Sequence, residues 1–195
     1  MSSPCVVSLL PSLAIHEGSV VFLYLDSAGN PTTGIGHLVS TMSDSLKLPW
    51  QPDDSATIIS DFRAISSRPA NRVPVFYEEA TVCRLPMGWP EQDAAQRLET
   101  EFLPPLRALF PGAFDGFKMS AQVALLDMIY NLGLGRARTA THPATGLCEY
   151  VTMLGACSRG DWMTAAAQCG RSGISAQRNA WTVSQFQAAA QSPAH

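Results

Sequence analysis

Three side chains in the stretch HEGSVVFLYLDSAGNPTTGIGH, residues 16 to 37, could share one reaction: Glu17, Asp26 and Thr32. Hydrolysis of a glycosidic bond needs one protonated carboxyl group to give its proton to the leaving oxygen. It needs a second, ionised carboxylate to handle water or the sugar cation. Glu17 ends an apolar run, where desolvation favours the neutral form, whereas Asp26 enters a polar turn with Ser27, Gly29 and Asn30, which favours the charged one. The Thr32 hydroxyl, just beyond that turn, could hold the attacking water. A glutamate at a helix end and an aspartate before a turn are also ordinary residues, so the pair selects this chemistry only where the flanking pattern agrees.

A helix and a hairpin must position these groups. Val6, Leu9, Leu10, Leu13 and Glu17 share helical spacing, which puts the glutamate at the end of the apolar face of a first helix that Pro11 either kinks or starts afresh. SVVFLYLD is β-branched and aromatic and reads as a strand. SAGNP is its turn and TTGIGH its returning partner, with Thr32 and Thr33 on opposite faces. Gly34 and Gly36 in that partner predict a bulge or a surface that something approaches closely. His37 reads as a structural polar residue of the hairpin, and His16 as exposed.

Residues 41 to 90 are rich in proline, yet Trp50, Phe62, Phe76, Tyr77 and Trp89 make them too aromatic for a linker. An ordered insertion is expected, with one helix near residues 54–65. From about Ser43 to Leu85 it would form a flap whose aromatics divide between a small core of its own and an exposed face. Trp50 and Trp89 are assigned to core packing ahead of sugar stacking.

From Glu91 the pattern turns helical. EQDAAQRLETEFLPPLRALF predicts one amphipathic helix interrupted at Pro104 and Pro105. Ser120 is read as the cap of AQVALLDMIYNLG, a core helix apolar on nearly every side that closes on Gly133. Asp127 inside it should make a structural hydrogen bond. Asp161 and Ser175 cap two later helices, the first of which stops at Gly170.

The chain of 195 residues is 46% hydrophobic, enough for a sizeable core in one domain or in two small lobes sharing a helix. Its net charge of -3 and the absence of a basic cluster argue against nucleic acid as a partner, although five arginines follow Leu134 and could face a polyanion. No apolar run is long enough to cross a bilayer. The N-terminal MSSPCVVSLLPSLA lacks the positive start of a signal peptide and is expected to belong to the fold. Five cysteines without Cys-x-x-Cys spacing read as buried hydrophobes, with a Cys148–Cys157 or Cys157–Cys169 bridge open only in an oxidising compartment. No metal or organic cofactor is called for.

The string Glu17-Gly18, Tyr24, Asp26, Gly29, Thr32 and GIGH at 34–37 closely resembles the phage-type lysozymes, the muramidases of glycoside hydrolase family 24. The spacings from glutamate to aspartate and from aspartate to threonine match that family's own, with Thr32 rather than Thr33 on the catalytic position. PEQDAAQRLETEFLPPLRALF is similar to the family's linking helix, AQVALLDMIYNLG to its buried central helix and SAQRNAWTVSQF to its closing helices, so that about three quarters of the chain can be laid on the family. The longer segment from Ser43 to Leu85 is the departure.

The resemblance implies an α+β, two-lobed lysozyme-like fold: residues 1–90 with the first helix, hairpin and insertion, residues 91–195 as a helical lobe, and a cleft between. It implies cleavage of the β-1,4 bond between N-acetylmuramic acid and N-acetylglucosamine with inversion, by Glu17 as acid, Asp26 as the carboxylate and Thr32 as the water-positioning hydroxyl. Asn131, Tyr130 and Gly133 would line the sugar site, Arg178 would pair with the glutamate, and His37 would support the hairpin. The expected partner is the peptidoglycan glycan strand, bound by a monomer made in the cytoplasm and acting in the periplasm or wall. It would arrive there as a phage endolysin or as an antibacterial secretion-system effector with a cognate immunity protein. The rival readings are a catalytically silent glycan- or protein-binding module and a lytic transglycosylase.

Overall fold

The computed structural model describes residues 2–191, which combine helices with one small antiparallel sheet, an α+β composition. The chain divides into two compact units. One is Ser12–Ala95; the other joins the residues up to Pro11 with those from Gln96 onward.

Helix α1 (Pro4–Glu17) runs through Pro11 and buries Val6, Leu9 and Leu13 completely. Gly18 ends it: the N–H bonds the Ala14 carbonyl at 3.1 Å, and φ of +79° is a left-handed conformation that only glycine adopts without strain. The chain therefore turns directly after Glu17 into β1 (Val20–Leu25), which pairs antiparallel with β2 (Pro31–Gly34), and β2 with β3 (His37–Leu38). Tyr24 lies opposite Thr32, and Thr33 opposite His37. The expected single returning strand is thus two strands. Gly34 and Gly36, at φ of +61° and +62°, fold a second turn; the β1–β2 register also shifts between Val20 and Tyr24, opposite Thr32–Gly34, and a Cβ on Gly34 would come within 3.4 Å of the Trp89 ring, so the close approach expected at these glycines is present.

The proline-rich insertion contains α2 (Met42–Ser45), α3 (Ser55–Ser66) and α4 (Val75–Glu78). Asp54 caps α3 by accepting the Thr57 N–H, so the one helix expected there is present with two short ones beside it. The insertion does not keep a core of its own. Trp50, Ile58, Ile65, Tyr77 and Leu85 pack in one cluster with Phe22, Leu23, Tyr24 and Leu25 of β1, and Phe62 lies against it. The aromatics are needed because β1 is buried on both faces and the hairpin alone cannot cover it. Phe76, 40% exposed, is the one aromatic of the four turned outward. Buried Asp61 ties α3 to the last residues of the insertion, accepting the N–H groups of Val82 and Cys83 at 2.8 Å each. Trp50→Phe should consequently cost about 2 kcal/mol in a denaturant melt, from lost volume and from the indole N–H bond to the Ser45 carbonyl. A melt unchanged from wild type would show that the insertion is separable from the sheet.

The expected amphipathic helix begins earlier, at α5 (Trp89–Arg97), which runs out of the Ser12–Ala95 unit into the other, and its interruption is a π-helical turn, Leu98–Phe102, before α6 (Leu103–Leu109). Pro104 and Pro105 cannot donate to the carbonyls four residues back, and the Leu103 N–H reaches back five residues to Leu98 instead. Helix α7 (Met119–Leu132) is buried at every position from Ala121 to Ile129 and stops at Gly133, φ +68°. Lys118, not Ser120, is its N-cap residue, and it makes no side-chain cap; Ser120 falls inside the first turn. Helices α8 (Val151–Ser158), α9 (Trp162–Gln168) and α10 (Ala176–Gln191) follow, with α10 packed on α7 and α9. Asp161 caps α9, which ends at Cys169 just before Gly170, and the Ser175 hydroxyl accepts the Arg178 N–H at the start of α10. The five cysteines are free, four of them buried, and burial pushes the Cys83 and Cys157 thiols up to about 12. At neutral pH these two are inert apolar groups.

Candidate functional site

Glu17, Asp26 and Thr32 all belong to the Ser12–Ala95 unit. Glu17 is the half-buried last residue of α1. Asp26 follows β1 directly, and the turn closes onto its carboxylate: Oδ1 accepts the N–H groups of Ala28 and Asn30 at 2.9 and 2.8 Å, and Oδ2 accepts the Asn30 side-chain amide at 3.1 Å. Three donors fix the plane of the carboxylate at the tip of the hairpin. The same Asn30 reaches Thr32. Its carbonyl accepts both the Asp26 N–H and the Thr32 hydroxyl, each at 3.0 Å, so one residue joins the acid and the alcohol.

The two threonines are used differently. Thr33 is fully buried, and its hydroxyl is engaged with the carbonyls of Val20 and Phe22 on β1 at 3.3 and 3.0 Å. Thr32 points to the other side of β2 and bonds at the turn that carries Asp26. If the Thr32 hydroxyl orients a nucleophilic water, as the resemblance implies, Thr32→Ala should lower turnover roughly 100-fold. Thr33→Ala should lose stability and keep activity. Assay and melt of the two variants together give the check, and the reverse pattern would move the role to Thr33.

His37 is positioned by Asp93, with Nδ1 2.9 Å from the carboxylate, and by Trp89, whose ring centroid lies 5.7 Å from its own. Trp89 is half-buried between Gly34 and His37, and Trp50 is 2% exposed, so both pack in the fold. His16 is half-buried rather than exposed.

In the other unit, Tyr130, Asn131 and Gly133 lie at the end of α7 and are half-buried. The Tyr130 hydroxyl accepts from Arg97 at 2.7 Å, and that guanidinium also lies 5.3 Å from the ring centroid. Arg178 contributes to a buried ionic cluster. Asp127 Oδ1 accepts Arg178 Nη2 and Nε at 2.8 and 3.0 Å, while Oδ2 accepts Arg171 Nη2 at 2.6 Å and the Thr182 hydroxyl at 3.0 Å. Arg171 Nη1 also reaches Asn131 Oδ1, at 3.4 Å. The structural hydrogen bond expected of Asp127 is thus a hub with four donor atoms.

Asn30, Asp93 and Arg171 are the supporting residues that the sequence alone did not single out. Asn30 carried a signal, since an asparagine beside Gly-Pro turn residues bonds its neighbours readily. The other two are distant in sequence from the groups they hold. Among the described residues no group of three or more His, Cys, Asp or Glu is arranged to hold a metal ion, and no helix is long and apolar enough to cross a membrane. A scan against protein-family models finds no match, and no curated protein matches the chain.

Proposed function

We propose that the protein is a muramidase of lysozyme-like fold, hydrolysing the β-1,4 bond between N-acetylmuramic acid and N-acetylglucosamine in peptidoglycan. The observation that carries this reading is the hydrogen-bonded unit of Asp26, Asn30 and Thr32 at the tip of the hairpin, separated along the chain from Glu17 by strand β1. A carboxylate with a fixed plane and a hydroxyl tied to the same asparagine are what activation of one water requires. Thr33, by contrast, bonds the β1 carbonyls of Val20 and Phe22 and not the turn that carries Asp26, which supports the spacing of the family the sequence resembles.

In this reading Glu17 protonates the leaving glycosidic oxygen. Asp26 accepts a proton from the water that Thr32 orients, and attack on the anomeric carbon from the face opposite the leaving group inverts it. Asn131, Tyr130 and Gly133 contact the glycan, and His37 holds the hairpin. The substrate places the site of action at the bacterial wall, reached as an endolysin or as a delivered effector. Digestion of purified sacculi, read as release of soluble fragments with reducing ends, is the direct test.

A further inference from the structure

The segment directly after Gly133 is not used by the proposed chemistry, yet it is a built element. The Leu147 and Cys148 N–H groups bond the carbonyls of Gly133 and Leu134 at 3.0 and 3.2 Å, and the Thr145 N–H bonds the Arg136 carbonyl at 3.0 Å. Nearer the tip, the Thr139 N–H bonds the His142 carbonyl, and the His142 N–H returns to the Thr139 hydroxyl. At the base the two arms cross closely: a Cβ on Gly135 would lie 1.8 Å from the Thr145 carbonyl oxygen, and one on Gly146 would lie 2.8 Å from the Gly135 nitrogen. Both glycines have positive φ, +69° and +61°. The segment is a closed hairpin whose base admits no side chain.

Its charge is one-sided. From residue 128 to residue 148 the sequence contains no Asp or Glu, in a chain whose net charge is -3. Arg136 and Arg138 are exposed on the hairpin and pair with no carboxylate among the described residues. Arg136 gives only its Nε–H, at 3.4 Å to the Pro143 carbonyl, and the Arg138 guanidinium makes no bond there. Two planar forks of donors are therefore held out on a closed loop that starts two residues after Asn131. Such forks fit carboxylates in bidentate fashion.

We infer that the hairpin from Gly133 to Leu147 is a carboxylate-binding finger that engages the peptide stems of the glycan strand through Arg136 and Arg138. The inference rests on the glycan-binding reading of the neighbouring Asn131. Stems carry several carboxylates each along a strand, so a finger beside the sugar contacts meets them in turn, and the attraction weakens with salt.

The test uses the full chain carrying Glu17→Gln, so that strands survive the measurement. Its binding is compared with that of a derivative also carrying Arg136→Ala and Arg138→Ala. The probes are surface-captured glycan strands with stems intact, and the same strands after an amidase has removed the stems and left only the lactyl carboxylates. The expected result is an apparent Kd about fivefold weaker for the arginine variant on intact strands at low salt, with the gap closing at high salt. On stripped strands the two proteins should bind alike. Equal binding on intact strands, or a gap that persists on stripped ones, overturns the finger. Absence of hydrolysis by the wild-type chain alongside arginine-dependent binding would instead remove the muramidase reading and leave the finger standing.

Discussion

Glu17→Gln should keep the melting profile of the wild-type chain and lose about a thousandfold in the rate of glycan cleavage. The amide has the shape of the acid but no proton to give, and the leaving oxygen must then depart as an alkoxide. Glu17 is half-buried at a helix end that Gly18 terminates independently of it, so the substitution leaves the local backbone intact. Turnover equal to wild type would remove Glu17 as the acid.

The second large effect is on stability. Asp127→Ala should cost about 3–5 kcal/mol and lower Tm on the order of 10 °C, because it removes the carboxylate shared by two guanidinium groups that are 0% and 5% exposed. Arg171 is already strained for partners: its Nε is buried with no acceptor among the described residues. Losing the carboxylate would leave its remaining bonds to the Asp127 carbonyl, Asn131 and Thr182 to hold a buried charge. Calorimetry is the check. A variant that melts within a degree of wild type would mean that water or a neighbouring acid compensates the cluster, and that Asp127 is no hub.

The elements around the candidate site were legible because each is decided locally. The apolar spacing from Val6 to Leu13 makes α1, the Asp-Ser-Ala-Gly-Asn turn makes the hairpin, and the unbroken apolar run before Gly133 makes α7. Period-two alternation also separated Thr32 from Thr33, whose hydroxyl is consumed by β1. What escaped depends on partners far along the chain. Trp50 and Tyr77 looked like the core of a separate flap, and only the burial of β1 on both faces explains why they pack on the sheet. The π turn before Leu103 follows from two prolines acting together, and helix pattern alone does not distinguish it from a kink. Ser120 failed as a cap because Met119 already has helical backbone, so that the boundary lies two residues earlier than the side-chain chemistry suggests. Arg171 and Asp93 had no local signature at all, since each acts on a residue tens of positions away.

Mass spectrometry of the soluble products from digested sacculi tests hydrolysis by Glu17 and Asp26 at the bond itself. Muropeptides with reducing N-acetylmuramic acid ends are expected from the wild-type chain, and none above background from Glu17→Gln or Asp26→Asn. Products with 1,6-anhydro ends, which a lytic transglycosylase would leave, or equal release by the wild type and the Glu17→Gln variant, would contradict it.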